Sequence, residues 1–271
     1  MLHDEAVVRG SVAPSNFADA QLGRRDKLVL LTALAAVVGL AWAYLILIIA
    51  PMHMAQAEHA GMGMAVTWTA THFLLTLMMW IVMMVAMMFP SATPMVLTYA
   101  TVASRIAPSQ GQRMAVSLFA TGYLLVWSAF SLGLTLLQLG FEQAALLSPE
   151  MVTSSPYLGG GLLIVAGLYQ WSPAKDFCLK HCRAPLTFIA YKWRPGFNGA
   201  LRMGIQHGAF CLGCCWALML LLFVGGVMNL IWVALISIFV ILEKLMGAGT
   251  RAGRWLSGVG LIAAGAFVLA A

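Results

Sequence analysis

Charge is scarce in this chain. Lys, Arg, Asp and Glu together make up 9% of its 271 residues, against 62% hydrophobic ones. A soluble domain carries about 25% charged residues, so the balance excludes an ordinary water-soluble globule and points to a polytopic membrane protein. No phosphate-cradling glycine motif is present, which removes ATP as a direct energy source. No nucleic-acid motif accompanies the net charge of +6, so nucleic acid is not an expected partner. Cysteine is limited to five residues, none of them in a predicted outer loop, and structural disulfides are therefore not expected.

Apolar runs near the spanning length of about 20 residues fall at roughly 28–50, 67–89, 114–138, 157–172, 203–224, 229–246 and 255–271. The expected fold is all-α: an integral membrane helical bundle of about seven spans, with six or eight as alternatives. Span 1 reads as an uncleaved signal anchor, because it begins too late and runs too long for a cleaved signal. It follows a polar tail, residues 1–27, read as cytoplasmic, and residues 28–271 form one transmembrane domain.

The basic residues set the orientation. With the N-terminus inside, all fifteen Lys and Arg fall on the inner side, from Arg9 to Arg254, while the outer loops carry Glu58, Glu142 and Glu150. That is the positive-inside pattern. The positive charge then reports topology and contact with anionic lipid headgroups.

Against this apolar background, span 5 holds His207, Cys211, Cys214 and Cys215. Met203, His207, Cys211 and Cys214 share an arc of roughly 80° on one helical face, with Cys215 beside it. Thiolate and thioether donors favour Cu(I), while Cys with His also suits Zn(II). The plainer alternative is that the cysteines act as small hydrophobes and His207 bonds a neighbouring helix. Polar groups inside a membrane are costly and mostly functional, which favours the metal reading for the set as a whole.

Methionine supplies the next pattern. Span 2 is expected to end at Pro90, with Met79, Met83 and Met87 forming a thioether ladder beneath His72 and with Met84 and Met88 as a flanking row. Flexible core filling is the alternative use of such a stripe. Depth counted from the inner surface sets this ladder level with Cys211 and Cys214. The outer loop after span 1 packs His53 and His59 among Met52, Met54, Met62 and Met64, donors for Cu(II) and Cu(I) respectively on the oxidising side; an ordinary Met-rich interfacial loop is the other reading. Spans 3 and 4 show no ligand set and read as scaffold. Glu243 and Lys244 close span 6, where both are expected to snorkel to the inner interface; alternatively Glu243 orients a ligand or accepts a proton.

The largest inner loop, 173–202, contains Cys178, His181 and Cys182. Cysteines at i and i+4 share a helical face, and Lys175 and Lys180 nearby are expected to bias them toward thiolate. The spacing differs from the CxxC of zinc and redox sites.

The strings QWSPAKDFCLKHCRAP, HGAFCLGCCWALMLLLFVGGVMN, ILEKL and MMVAMMFPSATPM resemble an uncharacterised bacterial family of predicted metal-binding integral membrane proteins, over roughly residues 67–260. The resemblance implies a polytopic inner-membrane protein with metal binding and supplies no reaction.

The functional expectation is a transition-metal protein, copper before zinc, that transports the ion across the membrane or delivers it to a metallochaperone or metalloenzyme. No residue is assigned a catalytic role. Two alternatives stand beside it: a membrane thiol oxidoreductase, weakened by the lack of outer cysteines, and an assembly factor that inserts metal into a membrane oxidase.

Overall fold

The structure is a computed structural model and describes residues 22–49, 51, 68–106, 109–148, 151–245 and 250–270. In chain order the helices are α1 (Arg24–Tyr44, continued by a π turn over Leu45–Ile49), α2 (Ala70–Ile106), α3 (Ser109–Gln143), α4 (Pro156–Gln170) and α5 (Pro173–Arg183). There follow α6 (Pro185–Lys192), α7 (Gly196–Leu220), the single turn α8 (Leu222–Gly225), α9 (Leu230–Leu245) and α10 (Arg251–Ala270). Among the described residues the one β feature is an isolated antiparallel bridge between Leu147 and Thr153.

Among the described residues five helices are long and apolar enough to cross a membrane: Arg24–Ile49, Ala70–Arg105, Gly111–Gln143, Gly196–Gly225 and Arg251–Ala270. The other two expected spans are α4, of 15 residues, and α9, of 16, each shorter than the roughly 20 residues a straight crossing takes. The first described helix begins at Arg24, inside the segment read as a polar tail.

Span 2 does not end at Pro90. The helix runs on through Pro90 and Pro94 to Ile106, although a proline removes one backbone donor and crowds the preceding turn. Hydroxyls supply partners to carbonyls in this stretch. Ser91 Oγ donates to Met88 O at 2.8 Å, Tyr123 Oη to the same oxygen at 3.0 Å, and Thr98 Oγ1 to Pro94 O at 2.7 Å. The carbonyls that lose a donor are Ala86 O and Pro90 O, four residues before each proline, so these bonds reinforce the adjoining turns; in a membrane bundle neighbouring helices and such hydroxyls together let a proline remain inside a helix.

Small residues decide which helices touch. A Cβ added to Gly204 would strike the Phe119 carbonyl, and one added to Gly122 the Leu201 carbonyl, so α3 and α7 meet backbone to backbone. The pairing of α4 with α10 follows the same rule: a Cβ at Gly265 would lie 2.7 Å from Gly160 O, and one at Gly167 2.8 Å from Gly258 O. Such close approach is how helices associate where lipid removes the hydrophobic drive.

The segment expected as an inner loop is helical. Ser172 caps α5 by accepting from Lys175 N at 3.0 Å, Pro173 takes the first turn, and Lys180, His181 and Arg183 lie in the last turn, which complements the helix dipole. Lys175 and Leu179 are buried while Cys178 and Cys182 are half-buried. Spaced at i, i+3, i+4 and i+7, they form one stripe, and α5 packs on α7. The first consequence of the fold is therefore that the inner cysteines are laid against the span 5 cysteines.

Candidate metal centre

The inward face of α7 carries Met203, His207, Cys211, Cys214 and Cys215, each no more than 3% exposed. Cys211 is the hub. Its Sγ lies 2.9 Å from Lys244 Nζ on α9 and 3.1 Å from Tyr123 Oη on α3. The thiols of Cys214 and Cys215 donate to Cys211 O at 3.0 and 2.9 Å. The thiols of Cys182, from α5, and of Cys215 are electrostatic neighbours of the Cys211 and Cys214 sulfurs. Four sulfurs from two helices thus fall in one neighbourhood. Among the described residues no three His, Cys, Asp or Glu side chains surround a common point as a finished metal site. A soft ion would enter this group by rotation of the thiols about their Cα–Cβ bonds, off their present partners.

Among the described residues no carboxylate pairs with Lys244. Its remaining bond is to Ser91 Oγ at 3.1 Å, and the residue is 6% exposed. A buried ammonium left without counter-charge is strongly unfavourable, so the Cys211 sulfur is its natural anionic partner. The expectation that Glu243 and Lys244 snorkel is therefore overturned. Glu243, at 1% exposure, pairs with Lys175 at 2.8 Å between Nζ and Oε2. The physical reason is that each charge finds a partner inside the bundle at a shorter reach than the interface.

The lysines near Cys178 and Cys182 also act differently from the expectation. Lys175 is committed to Glu243, and Lys180 turns outward to Asp176 at 2.8 Å. Neither supports a thiolate on α5. Burial pushes the Cys178 thiol up, and the neighbouring Cys211 and Cys214 sulfurs hold the Cys182 thiol well above its ordinary value. Cys182 is thus a protonated neighbour of the α7 sulfurs. Cys178 packs apart from the hub, with its Sγ 2.6 Å from where a Cβ on Gly213 would sit.

His207 stands one turn from Cys211. Its ring lies against Phe119 at 6.1 Å and Tyr123 at 5.8 Å, with the edge of Phe188 at 5.8 Å. Its Nδ1 is buried and has no partner, which leaves one donor atom beside the sulfurs uncommitted. His181 is engaged elsewhere: its ring stacks on Phe210 at 4.4 Å and its Nδ1 lies 2.9 Å from Phe177 O.

The methionines are aligned by two bridges. Tyr123 joins Met88 O to Cys211, and Lys244 joins Ser91 to Cys211, so the sulfur cluster is level with residues 88–91 of α2. Met79, Met83, Met84, Met87, Met88 and Met95 are all no more than 2% exposed. Met87 shares the level of the cluster, whereas Met83 and Met79 lie about 8 and 14 Å from Met88 along the helix, at 1.5 Å per residue. His72 is about 24 Å away on the same count, its Nε2 without a partner and its ring edge-on to Trp68 at 4.7 Å. The structure thus separates His72 from the cysteines. His53 and His59 lie outside the described residues.

Three residues at the hub were given no part in the site by the sequence argument. Tyr123 sits in a span read as scaffold, and nothing in its surroundings marks it. Ser91 carries no signal beyond a hydroxyl between two prolines. Lys244 has a signal, a charged pair closing an apolar run in ILEKL, which the snorkelling argument absorbed.

No curated protein and no solved structure matches the chain. The model of one family, PpoB2, described as a copper chaperone, matches residues 77–268. That match takes in α3 to α9 whole, with all five cysteines, His207, Tyr123 and Lys244. The sulfur-rich, cation-balanced interior of this helical protein belongs to a chain that is a member of the copper chaperone family PpoB2.

Proposed function

We propose that this chain binds Cu(I) as cargo within a membrane-embedded helical bundle, at Cys211 and Cys214 of α7 with the Cys182 thiol of α5 beside them, and passes it onward. The observation that carries this reading is the packing of α5 onto the buried cysteine face of α7, which makes Cys182 a neighbour of Cys211 and Cys214. It joins the inner helix to the membrane helix at one soft-donor group, and thiolate donors at low coordination number suit Cu(I). Cys215 and the free Nδ1 of His207 are the adjoining donors for exchange. Ion transfer needs sites that bind weakly enough to release, and hydrogen bonds already held by the thiols compete with the metal.

The His/Met segment around His53 and His59, His72, and the ladder of Met79, Met83 and Met87 supply the outward side of the path. Cys178 and His181 stand on the inward side. The basic residues favour an inner-membrane protein with its N-terminus inside and α5 facing the cytoplasm, where a metallochaperone or metalloenzyme takes or gives the ion. The seven-span arrangement includes the short helices α4 and α9.

The thiol oxidoreductase reading draws on the same sulfurs. It requires a partner thiol to reach them, and Cys211, Cys214 and Cys215 are each no more than 1% exposed, which favours the metal.

The deciding measurement is elemental mass spectrometry of protein purified under reducing conditions. Stoichiometric copper in the wild type and its loss in a Cys211→Ala, Cys214→Ala variant are expected. Wild-type protein that takes up no copper from a Cu(I) donor would sink the reading.

A further inference from the structure

The charge beside the sulfurs is fixed by the fold. Lys175 and Glu243 cancel one another, while Lys244 reaches Cys211 and Ser91 and pairs with no carboxylate among the described residues. We propose that Lys244 is the specificity-determining residue of the copper site: its buried ammonium makes the site complete with a monovalent soft cation held by two thiolates, so that Cu(I) and Ag(I) are taken in preference to Zn(II). The inference rests on the copper reading above and deepens it.

The argument is a charge count. Two thiolates, one monovalent ion and one ammonium sum to zero, and a neutral group is what an apolar interior tolerates. A divalent ion on the same two thiolates leaves one positive charge in excess. It could restore neutrality only if a third thiol gave up its proton, which would gather three thiolates in one buried group. Zn(II) also asks for four donors in a tetrahedron, whereas the donors here stand along one face of α7 with a single thiol opposite. On binding, the Cys211 thiolate already paired with Lys244 takes the ion, and the Cys214 thiol forms the second metal–sulfur bond as it passes its proton to the thiolate or chelator that delivered the ion. No electron is transferred.

The test uses the full chain in lipid nanodiscs and compares the wild type with Lys244→Met and Lys244→Arg by competition against chelators of known affinity for Cu(I), Ag(I) and Zn(II). Lys244→Met should lower the preference for Cu(I) and Ag(I) over Zn(II) by about thirtyfold or more, the usual effect of truncating one partner of a buried charge pair. Lys244→Arg, which keeps the charge, should hold that preference near the wild-type value. An unchanged preference in folded Lys244→Met overturns the proposal. X-ray absorption on Cu(I)-loaded wild-type protein needs no variant: two sulfurs per copper are expected, and an anionic three- or four-sulfur complex overturns it. A wild type that binds none of the three ions rejects the copper reading itself, a result distinct from copper binding without selectivity.

Discussion

Lys175 Nζ and Glu243 Oε2 lie 2.8 Å apart with both side chains about 1% exposed, so an ion pair ties α5 to α9 inside the bundle. The tie holds Cys182 in place as well as α5, since both residues belong to the same buried stripe. Removing one partner strands the other charge, a loss of about 3–5 kcal/mol in buried pairs. Glu243→Gln and Lys175→Met should each lower stability on that scale. The double variant Lys175→Met, Glu243→Met should lose less than either alone. A double-mutant cycle of unfolding in detergent, followed by tryptophan fluorescence, measures the coupling.

The two α5 cysteines should separate in function. Cys182 neighbours the sulfurs of Cys211 and Cys214, while Cys178 Sγ packs against Gly213. Cys182→Ala is expected to weaken Cu(I) binding about tenfold or more, a loss of at least about 1.4 kcal/mol. Cys178→Ala should stay within about threefold of the wild type, or about 0.7 kcal/mol. Equal loss in both variants, measured by Cu(I) competition, would contradict the arrangement.

Thiol reactivity carries a pH signature. With the Cys178 and Cys182 thiols pushed up in the fold, their protonated forms are the ones the native state prefers. Their contribution to stability is intact below the ordinary cysteine value of about 8.5 and declines as pH rises above it. Metal-free protein should accordingly lose stability in alkaline solution, and alkylation of Cys182 by iodoacetamide should need a higher pH than free cysteine does. Rate–pH profiles with mass-spectrometric site assignment test this. An alkylation midpoint below that of free cysteine would refute it.

Helix contact predicts a third class of variant. Gly122 and Gly204 lie where α3 and α7 touch, and a Cβ at either meets the opposite backbone. Gly204→Ala should cost about 1–3 kcal/mol through overpacking and should shift Tyr123 away from Cys211. Gly133 meets nothing within 4 Å on the same helix as Gly122, so Gly133→Ala should be neutral or slightly stabilising. Thermal unfolding in detergent of the two variants provides the comparison.

Much of this was open to a reader of the sequence. The period of 3.6 residues places Met203, His207, Cys211 and Cys214 on one face of a helix whatever that helix packs against, and all four are buried. The i, i+4 spacing of Cys178 and Cys182 likewise suits a helix, which α5 provides. Prolines misled at 90 and 94, because their helix-breaking effect depends on whether neighbouring helices and hydroxyls can reinforce the adjoining turns. The lysines misled as well. Proximity in sequence placed Lys175 and Lys180 beside the α5 thiols, whereas the lysine at the sulfur cluster is Lys244, 33 residues from Cys211.

Composition alone determined that the chain is helical and apolar enough for a membrane, since 9% charge cannot clothe a globule in water. It also determined that soft donors are plentiful, with eighteen Met and five Cys. Only the tertiary structure decided which donors meet. Helical phase fixes the direction of a side chain around its own axis and says nothing about what stands opposite; that choice was made by the glycine contacts of α3 with α7 and by the packing of α5 onto α7. Those contacts turned one stripe of cysteines into a group of four sulfurs with an ammonium at its edge.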